Sequence, residues 1–192
     1  TGVANIGGSG SNLTISSYTG NSKSLQANAG KGGDSVIATI ERIAEQLGAS
    51  VNAGAGSVSI GLRDDKYRVD PTGKGNTKKK KGAVDFGEDA EAAVRYATLD
   101  LIKDGVIAGL RASQQRLLQA AKDIDSGLQK ALDFGSVFTR LKQYKDPVGA
   151  ALDALDSEFS RLRKIFDEAA ATTEEYAALE ELYGIERAKA IK

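Results

Sequence analysis

The residues whose types and spacing could do chemistry are a handful of aspartates and one run of lysines. Asp70-Pro71-Thr72-Gly73-Lys74 has the look of a phosphate-handling loop, where glycine lets backbone approach the phosphate and lysine neutralises it. Such a loop needs a glycine five positions before the Gly-Lys pair, and Arg68 stands there; Gly75 replaces the Ser or Thr that would hold magnesium. The stretch reads as a turn. Asp85-Phe86-Gly87 spells the metal-binding triplet of kinases, but no glycine-rich nucleotide loop or catalytic loop accompanies it. Asp123-Ile124-Asp125-Ser126-Gly127 opens like a calcium loop, yet Gly127 and Phe134 occupy positions that should carry acids. Asp64 and Asp65 could do acid–base work in a cleft; turn chemistry accounts for them more simply. Lys78, Lys79, Lys80 and Lys81 are a candidate contact for an acidic partner. Without interleaved aromatics they read first as a solvated loop.

Composition removes whole classes of mechanism. The 192 residues contain no histidine and no cysteine, so imidazole–metal hydrolysis and Ser–His or Cys–His nucleophiles are excluded. No constellation amounts to a catalytic site, and the chain is expected to be neither an enzyme nor a holder of cofactor or metal. Lys+Arg and Asp+Glu are both 26, which argues against dedicated nucleic-acid binding. No apolar run approaches the roughly 18 residues needed to cross a bilayer. There is no methionine and the chain opens at Thr1, so a piece of a longer polypeptide is expected.

The elements that must position these residues fall into three stretches. Residues 1–33 are rich in Gly, Ser, Asn and Thr, and read as a flexible arm with one possible short strand around Leu13 and Ile15. Residues 34–87 read as a small α+β unit. Asp34 would cap a helix over 35–47, with Val36, Ile40, Ile43 and Leu47 as its buried stripe and Gly48 as its stop. Val58, Ile60 and Leu62, then Tyr67 and Val69, alternate as a hairpin turning at Asp64-Asp65, with a possible third strand over 83–86.

Residues 88–192 read as helical. An apolar stripe through Leu99, Ile102, Val106, Leu110, Leu117, Ala121, Ile124, Leu128 and Leu132 predicts one long helix over 88–134, roughly 65–70 Å at 1.5 Å per residue. Asp85 and Glu88 have capping-box spacing at its start, and Gly135 would break it. Asp146-Pro147 starts another helix, carrying Val148, Leu152, Leu155, Phe159, Leu162 and Phe166. Thr172 and Glu175 form a second capping box before a last helix with Tyr176, Leu179, Leu182, Tyr183 and Ile185. The fold class is therefore an α+β N-terminal unit followed by a mainly α part, coiled-coil-like or a helical hairpin. Its stripes must be covered by fold-back or by sister chains. Leu117, Ile124, Leu128, Phe159, Leu162 and Phe166 are the candidate interaction residues, with the four lysines.

The run GVIAGLRASQQRLLQAAKDIDSGLQKALDFGSVFTRLKQYKDPVGAALDALDSEF, with the closing TTEEYAALEELYGIERAKAI, resembles part of a phage or prophage tail length tape measure protein. The likeness is one of texture, an Ala/Leu-rich helical style over half to four-fifths of the chain. The preceding VIATIERIAEQLGASVNAGAGSVSIGLRDDKYRVD is similar to the globular insert such proteins can carry. The resemblance implies a structural role. Several copies of a long helical chain lie in the tail tube during assembly, chain length sets tube length, and the protein leaves when DNA is ejected. Its implied partners are other copies, the tube, the tip or a chaperone, in the host cytoplasm during assembly and then in the virion tail. An unrelated coiled-coil adaptor with an α+β recognition unit is the alternative, and an enzyme fragment using Asp64, Asp65 or Asp85 the third.

Overall fold

The computed structural model describes all residues 1–192. The chain divides into two compact units, Thr1–Asp133 and Phe134–Lys192. The first is α+β and the second is helical, as the periodicities predict.

The first unit opens with two strands, β1 (Gly2–Ser9) and β2 (Asn12–Gly20), followed by helix α1 (Lys23–Gln46). A two-residue strand β3 (Ser50–Val51) leads to β4 (Val58–Arg63), β5 (Lys66–Asp70) and β6 (Val84–Gly87). Helix α2 (Ala90–Asp104), strand β7 (Ile107–Ala108) and helices α3 (Ala112–Ala120) and α4 (Ile124–Lys145) complete it, the unit boundary falling inside α4. The strands β2-β1-β4-β5-β6 form one antiparallel sheet, and β3 pairs with β7.

Residues 1–33 are not an arm. β1 lies inside the sheet with Val3, Ala4 and Ile6 buried, and residues 23–33 are the first turns of α1. The glycines that resemble a linker are close-approach glycines. A Cβ on Gly2 would sit 2.1 Å from the backbone nitrogen of Gln26, so only glycine lets α1 lie this close to β1. Gly30 and Gly33 within α1 make room for Tyr18 and Ile15 of β2. Each glycine costs a helix interior about 1 kcal/mol relative to alanine, which packing must offset. Ser22, not Asp34, caps α1, its Oγ accepting from the Leu25 N–H at 3.4 Å.

The β4–β5 hairpin matches expectation. Asp64 and Asp65 take φ of 52° and 57°, the left-handed pair a two-residue turn requires. The single helix over 88–134 does not exist. Gly105 and Gly109 adopt φ of 91° and 89°, and β7 separates α2 from α3. The stripe nevertheless stays in register because α2, β7, α3 and the start of α4 all face one core, with Leu101, Ile102, Val106, Leu118, Leu128 and Ala131 buried there. Asp89 rather than Asp85 caps α2, its carboxylate accepting from Ala92 N–H at 2.9 Å. Gly135 breaks nothing, since α4 runs through it.

The second unit holds the end of α4, then α5 (Pro147–Glu168) and α6 (Thr173–Ala190). Asp146 caps α5 through Gly149 N–H at 2.9 Å, with proline in its first turn. Thr172 and Glu175 make the reciprocal capping box, at 3.3 Å and 2.7 Å. The pairs Asp156–Tyr183, Arg163–Glu180 and Asp167–Tyr176 run in opposite chain directions, so α5 and α6 form an antiparallel hairpin within one chain.

Candidate interaction surfaces

The four lysines sit on a loop pinned across the sheet face that carries no helix. The strands place alternate side chains there, bringing Asn5 (β1), Ser59 (β4), Arg68 and Asp70 (β5) together under residues 71–83. Ser59 Oγ donates to Asn5 Oδ1 at 2.6 Å and accepts from Gly75 N–H at 3.0 Å, while Asn5 Nδ2 donates to Ser17 Oγ at 2.9 Å. The buried Asp70 carboxylate accepts from the N–H groups of Thr72 and Asn76 at 3.0 and 2.8 Å and from the Thr72 hydroxyl at 2.7 Å. Burial alone would raise its pKa; the hydrogen bonds from Asn76 and Thr72 bring it below the usual carboxylate range.

Arg68 donates to the Thr77 carbonyl at 2.9 Å and lies 3.3 Å from Asp85. Lys79 bonds the same Asp85 at 2.7 Å. The Lys79 hydrogen bond, the Gly87 N–H and the Arg68 charge hold the Asp85 carboxyl down to about 2. Lys79 is thus committed to the fold, and Lys78, Lys80 and Lys81 stand in solvent without ion pairs. The phosphate-loop look-alike is the Asp70 turn, as expected; the kinase-like triplet, whose position before a helix reads as a helix entry, instead lies in strand β6, because Asp89 and not Asp85 caps α2. Asp123 caps the start of α4 through Ser126 N–H at 2.7 Å, and Asp125 pairs with Arg42 at 2.7 Å. No three acidic, His or Cys side chains converge as metal ligands.

The six apolar candidates are largely turned inward. Leu128 is buried in the core of the first unit with Ile124 packed against it, and Leu117 is half-buried beside the fully buried Leu118. Phe159 is 1% exposed at the centre of the α5–α6 hairpin, with Leu155 and Leu179, and Leu162, Phe166 and Tyr183 pack around it. The Phe159 and Tyr183 rings lie 5.1 Å apart, and the Arg163 guanidinium sits over Tyr183 while forking onto Glu180 at 2.8 and 2.9 Å. These stripes are covered by their own chain.

The surface that is open lies elsewhere. Apart from Tyr18, every exposed large hydrophobic is in the second unit: Val137, Phe138, Leu141 and Tyr144 on α4, Val148 and Ile165 on α5, Leu182 and Ile185 on α6, and Ile191. Val137 is 60% exposed and Tyr144 85%. Val137, Leu141 and Tyr144 step by four and three, so they form a row on one side of α4. Arg140 and Lys145 are the unpaired cations of that segment; Lys142 is paired with Asp153. Glu174, Glu175, Glu180 and Glu181 make the first half of α6 acidic. Sequence reasoning ranked stripes by strength, and the strongest stripes are those the fold buries. The weaker row at 137, 141 and 144 carried the signal for the exposed face.

One group stands apart from both surfaces. Asp100 on α2 has a buried carboxylate oxygen, Oδ2, with no hydrogen-bond partner. Burial first, then the neighbouring Asp104 and more distant Asp70, push it up to about 6, with Lys103 opposing. Burial and Asp100 raise Tyr96 as well.

No helix is long and apolar enough to cross a membrane. Compared with known proteins, the chain matches no family model, no curated protein and no solved structure.

Proposed function

We propose that this chain is a structural and interaction segment of a phage tail length tape measure protein, contributing to tail assembly and length determination through helix packing. The observation that carries the reading is the concentration of exposed large apolar side chains in the second unit, above all the row Val137, Leu141 and Tyr144 on α4, while the α5–α6 hairpin core is already filled. Large apolar side chains left in water in a row along one helix mark a place where another chain docks. The textural resemblance of residues 104–191 to tape measure proteins supplies the identity of that setting. In it the exposed apolar residues of the second unit, the α4 row first, pack on other copies or on tube, tip or chaperone proteins. The α+β first unit is the globular insert, set near the tail tip. The chain then occupies the host cytoplasm during assembly and the tail of the finished virion.

The test is an in-frame removal of residues 147–192 from the gene of the phage or prophage that encodes the chain, with tails measured by electron microscopy. The reading expects tails of altered length or arrested tail assembly. Particles with tails of unchanged length and number would contradict it.

A further inference from the structure

The two edges of the five-stranded sheet differ in how they are protected. β6 is four residues long, irregular against β5 between Tyr67 and Arg68, and holds Asp85 with Lys79 bound to it. A short, irregular, charged strand is how sheets discourage edge-to-edge pairing. β2 is nine residues long and contains no charge and no proline; its own irregularity against β1, at Ser16, leaves the run Ser17–Gly20 in regular register. It is the outermost strand, paired only with β1.

The ladder shows which of its backbone groups are open. Asn21 N–H donates to the Thr1 carbonyl at 3.0 Å, one step beyond the Gly2–Gly20 pair. Bonded and non-bonded pairs alternate in an antiparallel ladder, so Gly20 and Tyr18 belong to non-bonded pairs and their N–H and C=O groups point away from β1. Gly20 confirms the direction, its carbonyl accepting from Gln26 Nε2 at 3.0 Å. At Tyr18 neither group has a further backbone partner, and the residue is 50% exposed.

We propose that two copies of this chain pair through β2, antiparallel about a two-fold axis at Tyr18, joining two five-stranded sheets into one. Tyr18 of each copy would donate its N–H to, and accept at its carbonyl from, the partner's Tyr18. Ser17 comes opposite the partner's Thr19, so no charge meets a like charge along the seam. The helices carry matching charges. Gln26, Gly30 and Gly33 of α1 lie against β2. Lys23 and Asp34 stand just outside that stripe, exposed and without ion pairs.

Because Gly30 lies against Tyr18, the two-fold runs the α1 helices antiparallel with their Gly30 residues facing. Lys23 then lies about 10 Å along one axis from that point and the partner's Asp34 about 6 Å along in the same direction, at 1.5 Å per residue. That difference is within the reach of a lysine side chain. α1 lies mostly over β1. Three strand spacings of about 4.8 Å therefore separate the two axes by about 14 Å, too far to clash and close enough for long side chains to meet.

Sedimentation and light scattering of the whole chain over a concentration series, with amide exchange at Tyr18, provide the test. The expected result is a species of twice the 20.1 kDa chain mass whose Tyr18 amide becomes protected as it forms. Lys23→Glu and Asp34→Lys should each raise the dimer Kd about tenfold or more by turning two attractions into repulsions, and the double variant Lys23→Glu/Asp34→Lys should restore it. Circular dichroism of the variants checks that their fold is unchanged. A chain that is monomeric at every concentration overturns the proposal. So does a dimer whose Tyr18 amide stays unprotected, failure of the double variant to restore pairing, or a dimer abolished by Leu141→Glu and indifferent to Lys23→Glu.

Discussion

Replacing Asp100 by Asn should stabilise the first unit, and only above the pH at which the carboxyl would ionise. The folded chain holds this carboxyl at about 6 instead of 3.8, chiefly through burial on α2 and then through Asp104. Its raised pKa means the folded state binds the extra proton, so stability falls as pH climbs from 3.8 to about 6 and the penalty is complete above that. A change of that size corresponds to about 3 kcal/mol at 1.36 kcal/mol per pKa unit. Partial solvation of the group trims the expected gain to about 1–2 kcal/mol. The charges that face Asp100 are Asp104, Lys103 and Asp70, and all stay in place in the variant. Its position near the C-terminus of α2 adds in the same direction, because a helix end of that polarity disfavours anions. The assay is urea unfolding of wild type and Asp100→Asn from pH 3.5 to 8, followed at the methyl resonances of Val36 and Ile40 in the buried core. The midpoint of the variant should rise by roughly 0.5–1 M urea at neutral pH, for m-values of about 1–3 kcal/mol/M. The gain should vanish below about pH 4. A variant no more stable than wild type at neutral pH refutes the buried-carboxylate argument, and a gain independent of pH assigns it to packing instead.

Phe159→Ala should cost about 3–5 kcal/mol, enough to melt the α5–α6 hairpin, because the ring fills the centre of that small core. Circular dichroism should show part of the helical signal lost while the methyl resonances of the first unit's core persist. Asp70→Ala leaves the N–H groups of Thr72 and Asn76 without their acceptor and should cost about 1–3 kcal/mol. Trypsin should then cut at Lys78–Lys81 much faster than in wild type; an unchanged cleavage rate would show that the loop is held by something other than this carboxylate.

What was legible in the sequence was whatever its own neighbourhood decides. The Asp64-Asp65 turn, the Asp146-Pro147 start and the Thr172–Glu175 capping box are local chemistry, and each forms as its residues dictate. β1 escaped notice because its identity depends on distant partners. Gly2 looks like linker until α1 is packed beside it, and Gly8 until the chain turns back at Asn12, whose carbonyl oxygen would lie 1.9 Å from an added Cβ; those close approaches are why both must be glycine. The break at Gly105 escaped for the opposite reason. The 3.6-residue period survives the interruption because α2, α3 and α4 are packed on one core, so periodicity reported the shared core and not a continuous rod. The same ambiguity misdirected the interaction residues. A strong stripe says that a face is covered, and Phe159, Leu162 and Phe166 are covered by α6 of the same chain. Only the arrangement of helices separates that face from the row at Val137, Leu141 and Tyr144 that is left open.

The proposed role is tested most directly by quantitative mass spectrometry of purified phage particles, intact and after DNA ejection. A tape measure segment should be present in several copies per intact tail and lost from the ejected shells. Its absence from intact particles, or its retention after ejection at the level of the tube proteins, would contradict the account.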